Sequence, residues 1–273
     1  SAASDVYKRQ FLMDVAGLNF REAVESVAAI AGMDVPAENQ ETAARRHAAK
    51  GVRETLAIAT EYFESQLRMP VGREAMEYLR GRGLDDLTIR RFRLGYSPSA
   101  QGSLAAGLGS DGIGQAQLVD AGLMKQRDDG RVTDYFRDRI MFPITDRQGA
   151  VIAFGGRTLG DGQPKYLNSP ETAVFQKSRV LYGLAQAREA AHKAGRVFVV
   201  EGYMDVIGLS KNGIENTVAN LGTALTSNQI QILNQFYNHI IICFDGDQSG
   251  YKAALRAAEN IIDELKPDKK VSF

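Results

Sequence analysis

Two short stretches near the end of the chain place carboxylates where an apolar strand should stop. In VFVVEGYMDV, Val197 to Val206, Glu201 follows an apolar run, and in IICFDGDQSG the acids Asp245 and Asp247 follow another. Ligands of open α/β sheets bind outside the carboxyl ends of the strands. If the two strands are neighbours, these three acids converge on one candidate site.

Converging carboxylates repel one another unless they are protonated or bind a cation. Carboxylate oxygens suit Mg²⁺, which proteins hold with one or two carboxylates plus substrate phosphates. Two such ions can clamp an in-line phosphoryl displacement. The alternative is that each aspartate only caps the helix after its strand. A Glu-Gly after one strand and an Asp-Gly-Asp after another favour the metal site.

Alternating strands and helices must position these acids. We predict strands at Val197–Val200, Thr217–Leu221, Ile240–Phe244 and Lys270–Phe273, and helices at Met204–Lys211, Thr226–Tyr237 and Gly250–Leu265. This alternation predicts a parallel sheet covered on both faces. Tyr203 and Met204 are interpreted as packing residues, and Cys243 as part of the buried core.

The upstream part of the chain has a different texture. Apolar spacing predicts helices at Phe11–Met33, Val52–Leu67 and Arg73–Arg80. DRIMFPITDRQGAVIAFGGRTL predicts a β-hairpin with its turn at Asp146–Gly149. The predicted fold class is therefore α/β, with an α+β N-terminal subdomain followed by a Rossmann-like parallel sheet.

Composition excludes several classes of protein. The chain has 273 residues, 44% apolar and 24% charged, which is ordinary for a globular protein of up to two domains. No apolar run is long enough for a transmembrane helix, so we expect no membrane association. The single cysteine excludes an intrachain disulfide and a cysteine-based zinc site. We expect a cytoplasmic location.

Charge is uneven along the chain although the formal net charge is zero. Between residues 80 and 179 there are 15 Lys and Arg against 11 Asp and Glu, whereas residues 200–273 contain 6 against 9. A positive middle and a negative end are compatible with an anionic ligand held beside a metal site.

The motifs resemble a known family. VVEGYMDV, VANLGTALT and IICFDGDQSGYKAA are similar to the toprim domain of primases, topoisomerases and related nucleases. FRDRIMFPITDRQGAVIAFGGRTL, PKYLNSPETAVFQKSRVLYGL and FLMDVAGLNFREAVESVAAIAGMDVP resemble the RNA polymerase region of bacterial replicative DNA primases of the DnaG type and the segment that precedes it. The resemblance covers about residues 11–273.

This resemblance implies an activity and a set of site residues. The activity is synthesis of RNA primers from ribonucleoside triphosphates on a single-stranded DNA template, with Mg²⁺ or Mn²⁺ as cofactor. Glu201, Asp245 and Asp247 match the metal-binding and catalytic acids, and Asp205 matches the last residue of the EGYMD signature. The residues that match the family's template and product groove, or are expected beside it, are Arg91, Arg137, Arg139, Arg157, Lys165, Tyr166 and Lys177.

The resemblance also suggests a domain division. We expect a leader at 1–10 that does not look native, a helical segment and linker at 11–50, a basic subdomain at 51–183, and a toprim domain at 184–273 that is incomplete at its C-terminus. The family's zinc-binding domain would precede this region, and its second acidic pair and helicase-binding domain would follow it. Replicative helicase and single-strand-binding protein are partners expected of the full-length protein.

One departure and two alternatives stay open. The family has Asp-Arg before FR, whereas DYFR places Tyr135 at the basic position, which puts one backbone contact in doubt. A toprim nuclease or topoisomerase fragment would use similar acids, although no tyrosine has the local context of a topoisomerase nucleophile. A catalytically inactive single-strand-binding fragment is the other alternative. The absence of a GxxxxGK[ST] motif argues against a P-loop NTPase.

Overall fold

The chain enters its folded core through helices. The computed structural model describes residues 40–222 and 225–273. Helix α1 spans Gln40–Arg68, α2 spans Arg73–Gly81 and α3 spans Asp86–Arg91. Asp85 caps α3, since its carboxylate accepts a hydrogen bond from the Thr88 N–H at 2.7 Å. The helix predicted at Phe11–Met33 lies outside the described residues.

An antiparallel sheet follows these helices. Strands β1 (Gly95–Ser97), β4 (Arg139–Thr145), β5 (Val151–Thr158) and β6 (Tyr166–Asn168) form it in that order. Along the chain, β1 and β4 are separated by two helices, α4 (Ser103–Gly109) and α5 (Gln115–Asp120), and by a small ribbon of β2 (Met124–Gln126) and β3 (Val132–Asp134). The predicted hairpin is confirmed, because β4 pairs with β5 in antiparallel register. Asp146 closes its turn by accepting hydrogen bonds from the Gln148 and Ala150 N–H groups.

A parallel sheet forms the last part of the chain. Its elements are α6 (Leu184–Ala194), β7 (Arg196–Val200), α7 (Tyr203–Lys211), β8 (Thr217–Ala219), α8 (Ser227–Phe236), β9 (His239–Ile242), α9 (Gln248–Ile262) and β10 (Lys270–Ser272). The strand order is β10-β9-β7-β8, and all three pairings are parallel. Thr226 caps α8 by accepting a hydrogen bond from the Gln229 N–H. The predicted fold class is confirmed.

The strands match the predicted ones with small shifts at their ends, but one core assignment is wrong. Cys243 is exposed. Strand β9 ends at Ile242, and the alternation along it turns Ile240 and Ile242 inward, so the next residue begins the solvent-facing loop. In the described parts of the chain, no helix combines the length and apolar character needed to cross a bilayer.

The two sheets share an apolar cluster, and Tyr203 lies in it between them. Its ring is 6% exposed, stacks on Phe142 at 5.1 Å and meets Tyr182 edge-on at 4.6 Å. Tyr182 in turn exchanges two backbone hydrogen bonds with Ala219 of β8, which adds a short antiparallel bridge to the parallel sheet. The interpretation of Tyr203 as a packing residue is confirmed.

Glycine is required where β5 passes under this ring. A Cβ atom at Gly155 would lie 2.5 Å from the Tyr203 ring, closer than any van der Waals contact allows. The two sheets can approach this closely only because position 155 carries no side chain. The packing of Tyr203 therefore depends on a residue that stands 48 positions before it in the chain.

Replacing Gly155 with alanine tests this contact. We expect Gly155→Ala to lower the free energy of unfolding by about 1–3 kcal/mol, since the added methyl group overpacks a buried ring. Urea unfolding followed by circular dichroism measures the change. Gly51→Ala is the matched control: it lies inside α1 with open space around it and should be neutral or stabilising by roughly 0.5–1 kcal/mol. Equal effects of the two substitutions would contradict the proposed contact.

Candidate functional site

The first two acids meet at the carboxyl edge of the parallel sheet. Glu201 directly follows β7, and Asp245 follows the neighbouring strand β9. A Glu201 Oε1 atom accepts a hydrogen bond from the Asp245 N–H at 3.0 Å. This bond holds the loop after β9 against the end of β7, so the two acids lie side by side as predicted from the order of the strands.

Asp247 has a structural role at the same edge. Its Oδ1 atom accepts a hydrogen bond from the Gly250 N–H at 2.8 Å and caps α9. Gly250 lies so close to the loop that a Cβ atom there would be 2.0 Å from the Asp245 carbonyl oxygen and 2.8 Å from the Glu201 carboxylate. The glycine that opens α9 is therefore needed to bring this helix against the acids.

Asp205 lies in the first turn of α7, next to the same acids. It accepts a hydrogen bond from the Gly202 N–H at 3.0 Å. Desolvation raises the pKa of Asp205 above its ordinary value, and the negative charge of Asp245 raises it further. The Gly202 hydrogen bond and the positive charge of Arg82 oppose this rise. Asp205 and Asp245 therefore lie close enough for their negative charges to interact at this edge.

The carboxylate oxygens at this edge are of the kind that bind divalent cations such as Mg²⁺. Among the residues that the structure describes, no three His, Cys, Asp or Glu side chains stand as a ready-made metal cage. The geometry shows why: the Asp247 carboxylate is turned toward the α9 N-terminus, and Glu201 holds the Asp245 backbone. Mg²⁺ normally takes only one or two protein carboxylates and completes its shell with water and phosphate, so these acids suit that ion.

A basic and aromatic wall stands beside the acids. The guanidinium group of Arg157, on β5, lies 4.8 Å from the centre of the Tyr78 ring and 5.2 Å from that of Tyr166. Its Nη1 atom also donates a hydrogen bond of 2.6 Å to the Tyr166 hydroxyl. Two rings and one hydrogen bond thus fix the direction of this cation.

Strand β6 seats this wall against the edge of the parallel sheet. The Tyr166 ring is 6.2 Å from the Tyr203 ring, two residues beyond Glu201. Asn168 accepts a short hydrogen bond from the Tyr203 hydroxyl and donates one of 3.0 Å to the Leu221 carbonyl, just after β8. The PKYLN segment therefore touches the carboxyl ends of two parallel strands.

Lys165 and Lys177 lie near this edge. Lys165 precedes Tyr166 and is exposed. Lys177 is half-buried, and its carbonyl accepts a hydrogen bond from Gln229 in the first turn of α8, the helix that follows β8. Neither residue forms an ion pair with another described residue, so both are available to an anion.

Arg139 and Arg137 are placed differently from each other. Arg139 is 7% exposed, and its guanidinium group donates to the Gly156 carbonyl at 3.1 Å, so in this structure it supports the β4–β5 pair. Desolvation lowers the pKa of Arg139 below its ordinary value. Arg137 is exposed, and its charge acts on Asp134.

Arg91 is not brought to the acidic edge. It forms a short ion pair with Glu215, which precedes β8. Parallel strands begin at the edge opposite to the one where they end, so Glu215 and Arg91 lie toward the amino edge of the sheet. The expectation that Arg91 joins the other basic residues at the groove finds no contact in the structure.

Several supporting residues were missed by reasoning from the sequence. Tyr78 and Arg82 lie on and directly after α2, where helical spacing alone gives no sign of a site. Asn168 lies within the PKYLN motif, but its residue type and position give no sign of its role. Tyr135, at the position where a basic residue was expected, is half-buried and donates a hydrogen bond to the Asn168 carbonyl. It therefore supports β6 instead of facing a ligand.

Comparison with known proteins matches both parts of this arrangement. The model of the DNA primase catalytic core, N-terminal domain, matches residues 62–188, and that of the Toprim domain matches residues 195–273. The DNA primase of Pseudomonas aeruginosa is 46% identical over 270 residues, which cover 96% of this chain and 40% of that protein. The DNA primase of Escherichia coli K12 is 40% identical over 265 residues, which cover 96% and 46%.

Solved structures agree. A structure described as the DnaG primase catalytic domain bound to ssDNA is 39% identical, with a TM-score of 0.77 over 83% of this chain and 71% of that one. A DNA primase domain from Pseudomonas aeruginosa is 46% identical, with a TM-score of 0.78 over 81% and 69%. The chain spans about two fifths of the length of the first curated relatives.

The two family models divide the chain where the structure changes from the antiparallel to the parallel sheet. Identity of 39% to 46% over more than two thirds of the solved catalytic domains is far above the level at which only a fold is shared. The chain therefore belongs to the DnaG-type family of bacterial DNA primases and represents part of its catalytic core.

Proposed function

We propose that this chain carries out the nucleotidyl transfer of RNA primer synthesis, joining ribonucleotides on a single-stranded DNA template. The observation that carries the proposal is the Glu201–Asp245 hydrogen bond at the carboxyl edge, with the Arg157–Tyr166 pair beside it. One face of this site suits a cation and the other a phosphate chain. The primase relatives, one of them solved with ssDNA, support the same assignment.

Glu201, Asp245 and Asp247 would hold Mg²⁺ or Mn²⁺ together with the triphosphate. When bound, such ions activate the primer 3′-hydroxyl and stabilise the negative charge that develops on the departing pyrophosphate. Glu201 and Asp247 each accept one hydrogen bond from a backbone N–H group, which orients one oxygen of each carboxylate. Asp205 adds negative charge to the edge and thereby raises its attraction for a cation.

The basic residues would position the nucleic acid. Arg157, Lys165 and Tyr166 lie on β6 or beside it, and Lys177 lies beside the first turn of α8. Contacts from such side chains to phosphates fix the strand without reading its sequence. Arg139 would affect nucleic-acid binding indirectly, because it supports β5 and β6. Arg137, which is exposed beside Asp134, would contact a phosphate of the strand.

The wider assignments are also proposals. We propose the division into a basic subdomain at 51–183 and a toprim domain at 184–273, a cytoplasmic location, and helicase and single-strand-binding protein as partners of the full-length protein. Zinc would belong to the family's separate N-terminal domain. The membership of the chain in a family of replication enzymes supports each of these assignments.

Replacing Asp247 with asparagine separates a metal ligand from a helix cap. Asparagine caps helices as well as aspartate does, so Asp247→Asn should leave the stability of α9 nearly unchanged. We expect ribonucleotide incorporation with Mg²⁺ on a single-stranded template to fall at least about tenfold, since a ligand should cost no less than an outer-shell partner. Glu201→Gln, which keeps an acceptor for the Asp245 N–H, should behave alike.

Asp85→Asn is the matched control for this experiment. Asp85 caps α3 by the same kind of hydrogen bond but lies near Lys211, at the end of α7 that is farther from the acids, so its replacement should leave incorporation unchanged. Full incorporation by both Asp247→Asn and Glu201→Gln would remove these residues from the proposed site. In the same assay, cleavage of DNA would support a nuclease, and binding without any product would support an inactive fragment.

The groove predicts a salt dependence. Each phosphate contact that is lost should weaken single-strand binding about equally for every sequence and reduce the slope of log K against log salt by roughly 0.7. We expect this of Arg157→Ala and of Lys165→Ala, measured by fluorescence anisotropy across a salt series. Arg127→Ala, on the exposed β2–β3 ribbon, is the control. Unchanged slopes in both variants would show that the groove lies elsewhere.

Tyr78 should act by holding Arg157. Its hydroxyl is buried without a hydrogen-bond partner, so Tyr78→Phe, which keeps the ring, should leave single-strand binding unchanged. Tyr78→Leu removes the ring face and should reproduce part of the Arg157→Ala loss. In the double variant Tyr78→Leu/Arg157→Ala, the loss of single-strand binding should be little larger than in Arg157→Ala alone. Additive losses in the double variant would show that Tyr78 does not work through Arg157.

A further inference from the structure

A large cleft lies away from the acids. It has a volume of about 1090 Å³ and lies between the end of α3, the β4–β5 turn, one face of α6 and the end of α8. On α6 the lining positions Leu184, Arg188 and His192 follow one another at helical spacing. Phe236 and Tyr237 close the opposite side.

This cleft is at the other edge of the parallel sheet from the acids. Tyr237 leads into the first residue of β9, and the C-terminus of α6 leads into the first residue of β7. Glu201 and Asp245 follow the last residues of these same strands. Since β7 has five residues, the two edges are separated by roughly 15 Å.

Guanidinium groups dominate the charge of the cleft. Arg91 and Arg93 are paired with Glu215 and Glu64. Arg147 and Arg188 also line the cleft, and neither forms an ion pair with a described residue. Glu189 is the lining acid. Helix C-termini carry negative partial charge, so an anion here would be attracted by these side chains and not by α3 or α8.

The cleft also offers a surface for an aromatic ring. Phe236 is 48% exposed, and the guanidinium group of Arg147 lies 5.6 Å from the centre of its ring. A buried Oε1 atom of Gln186, among the lining residues, has no hydrogen-bond donor. An exposed ring beside a cation is the arrangement on which nucleic-acid bases stack, and an unpaired amide oxygen can accept a bond from a base N–H.

The cleft continues into a second cavity of about 530 Å³. The two share Thr145, Arg147, Gln148 and Leu184, and the second is also lined by Arg179 and Asn228. Arg179, like Arg147 and Arg188, forms no ion pair with a described residue. The three cations therefore follow one groove in the order Arg188, Arg147, Arg179, an arrangement that fits an extended polyanion better than a single compact anion.

We propose that this groove binds single-stranded nucleic acid by its phosphates, with one base stacked on Phe236. It would be a second contact region, separate from the carboxyl edge, for a strand long enough to reach both. The proposal does not depend on the chemistry at Glu201 and Asp245. An acidic peptide is the rival occupant, and the experiment below distinguishes the two.

The experiment uses the full chain in EDTA, so that cations at the acids play no part. Binding of labelled oligothymidylates of about 6 and about 30 nucleotides is measured across a salt series, the shorter being close to one site and the longer spanning several. In Arg147→Ala/Arg188→Ala we expect the salt slope for the longer strand to fall by about 1.4, or two phosphate contacts. Arg127→Ala/Arg256→Ala, which removes two exposed arginines elsewhere, is the matched control, and its slope should not change.

Photocrosslinking locates the contact directly. A strand containing 5-bromouracil should crosslink to the peptide that carries Phe236 and Tyr237, and the crosslink should disappear in Arg147→Ala/Arg188→Ala. Arg157→Ala should lower the salt slope further in that background, because its contact is separate. Thermal unfolding of each variant shows whether the fold is kept. If a variant does not fold, the crosslink in the unaltered chain still tests the proposal.

Two results would overturn the proposal. The first is an unchanged slope for the longer strand, with crosslinks confined to residues at the carboxyl edge such as Tyr166. The second is binding of a polyglutamate peptide that is lost in Arg147→Ala/Arg188→Ala while strand binding is kept, which would assign the groove to an acidic peptide. The binding and crosslinking results are measured without catalysis. They therefore stand even if Asp247→Asn and Glu201→Gln incorporate ribonucleotides normally and the proposed function is wrong.

Discussion

The close approach of Tyr203 to Gly155 is the contact on which the rest of the structure depends. The ring occupies the space that a side chain on β5 would fill, and it packs among Phe142 and Tyr182 from both halves of the core. Tyr203 is also the second residue after Glu201. The same contact that joins the two sheets therefore fixes the start of α7 and, with it, the end of the strand that carries the acid.

Asn168 transmits this constraint to the basic wall. One amide group binds both the Tyr203 hydroxyl and the Leu221 carbonyl, so β6 cannot move without disturbing the ends of β7 and β8. Tyr166, two residues earlier, accepts a hydrogen bond from Arg157, so the position of this arginine depends on β6 as well. The distance between the basic wall and the acids is therefore held by hydrogen bonds of the Asn168 and Tyr166 side chains, which fix β6 against the ends of the parallel strands.

The elements could be predicted from the sequence where their signals are local. Alternation of apolar strands with helices identified the parallel sheet, and the Asp146 turn identified the hairpin. The order of strands placed Glu201 beside Asp245, since neighbouring parallel strands end at one edge. The prediction that Cys243 is buried was wrong, because an apolar neighbourhood in sequence does not say at which residue a strand leaves the core.

Residues that act through distant packing could not be predicted. Tyr78 lies on an ordinary amphipathic helix, and nothing near it in sequence shows that its ring meets Arg157. Arg139 and Arg91 carry the same charge as Arg157, yet one is buried under carbonyl groups and the other is paired with Glu215 at the far edge. Residue type and motif match identify a basic set, whereas the packing of each helix and strand decides which of these side chains are left exposed and unpaired.

The structure shows a structural role for two of the acids that bears on their proposed role as metal ligands. A carboxylate that caps a helix or binds a backbone N–H has part of its charge already neutralised, so it would need to turn or share its oxygens to bind a cation. Asp247 uses one oxygen for Gly250, and Glu201 uses one for Asp245. Each therefore keeps a second oxygen that no described residue is shown to bind. Under the proposed function, phosphate oxygens would complete the shell of an ion held by so few free oxygens, so cation binding would depend on the nucleotide.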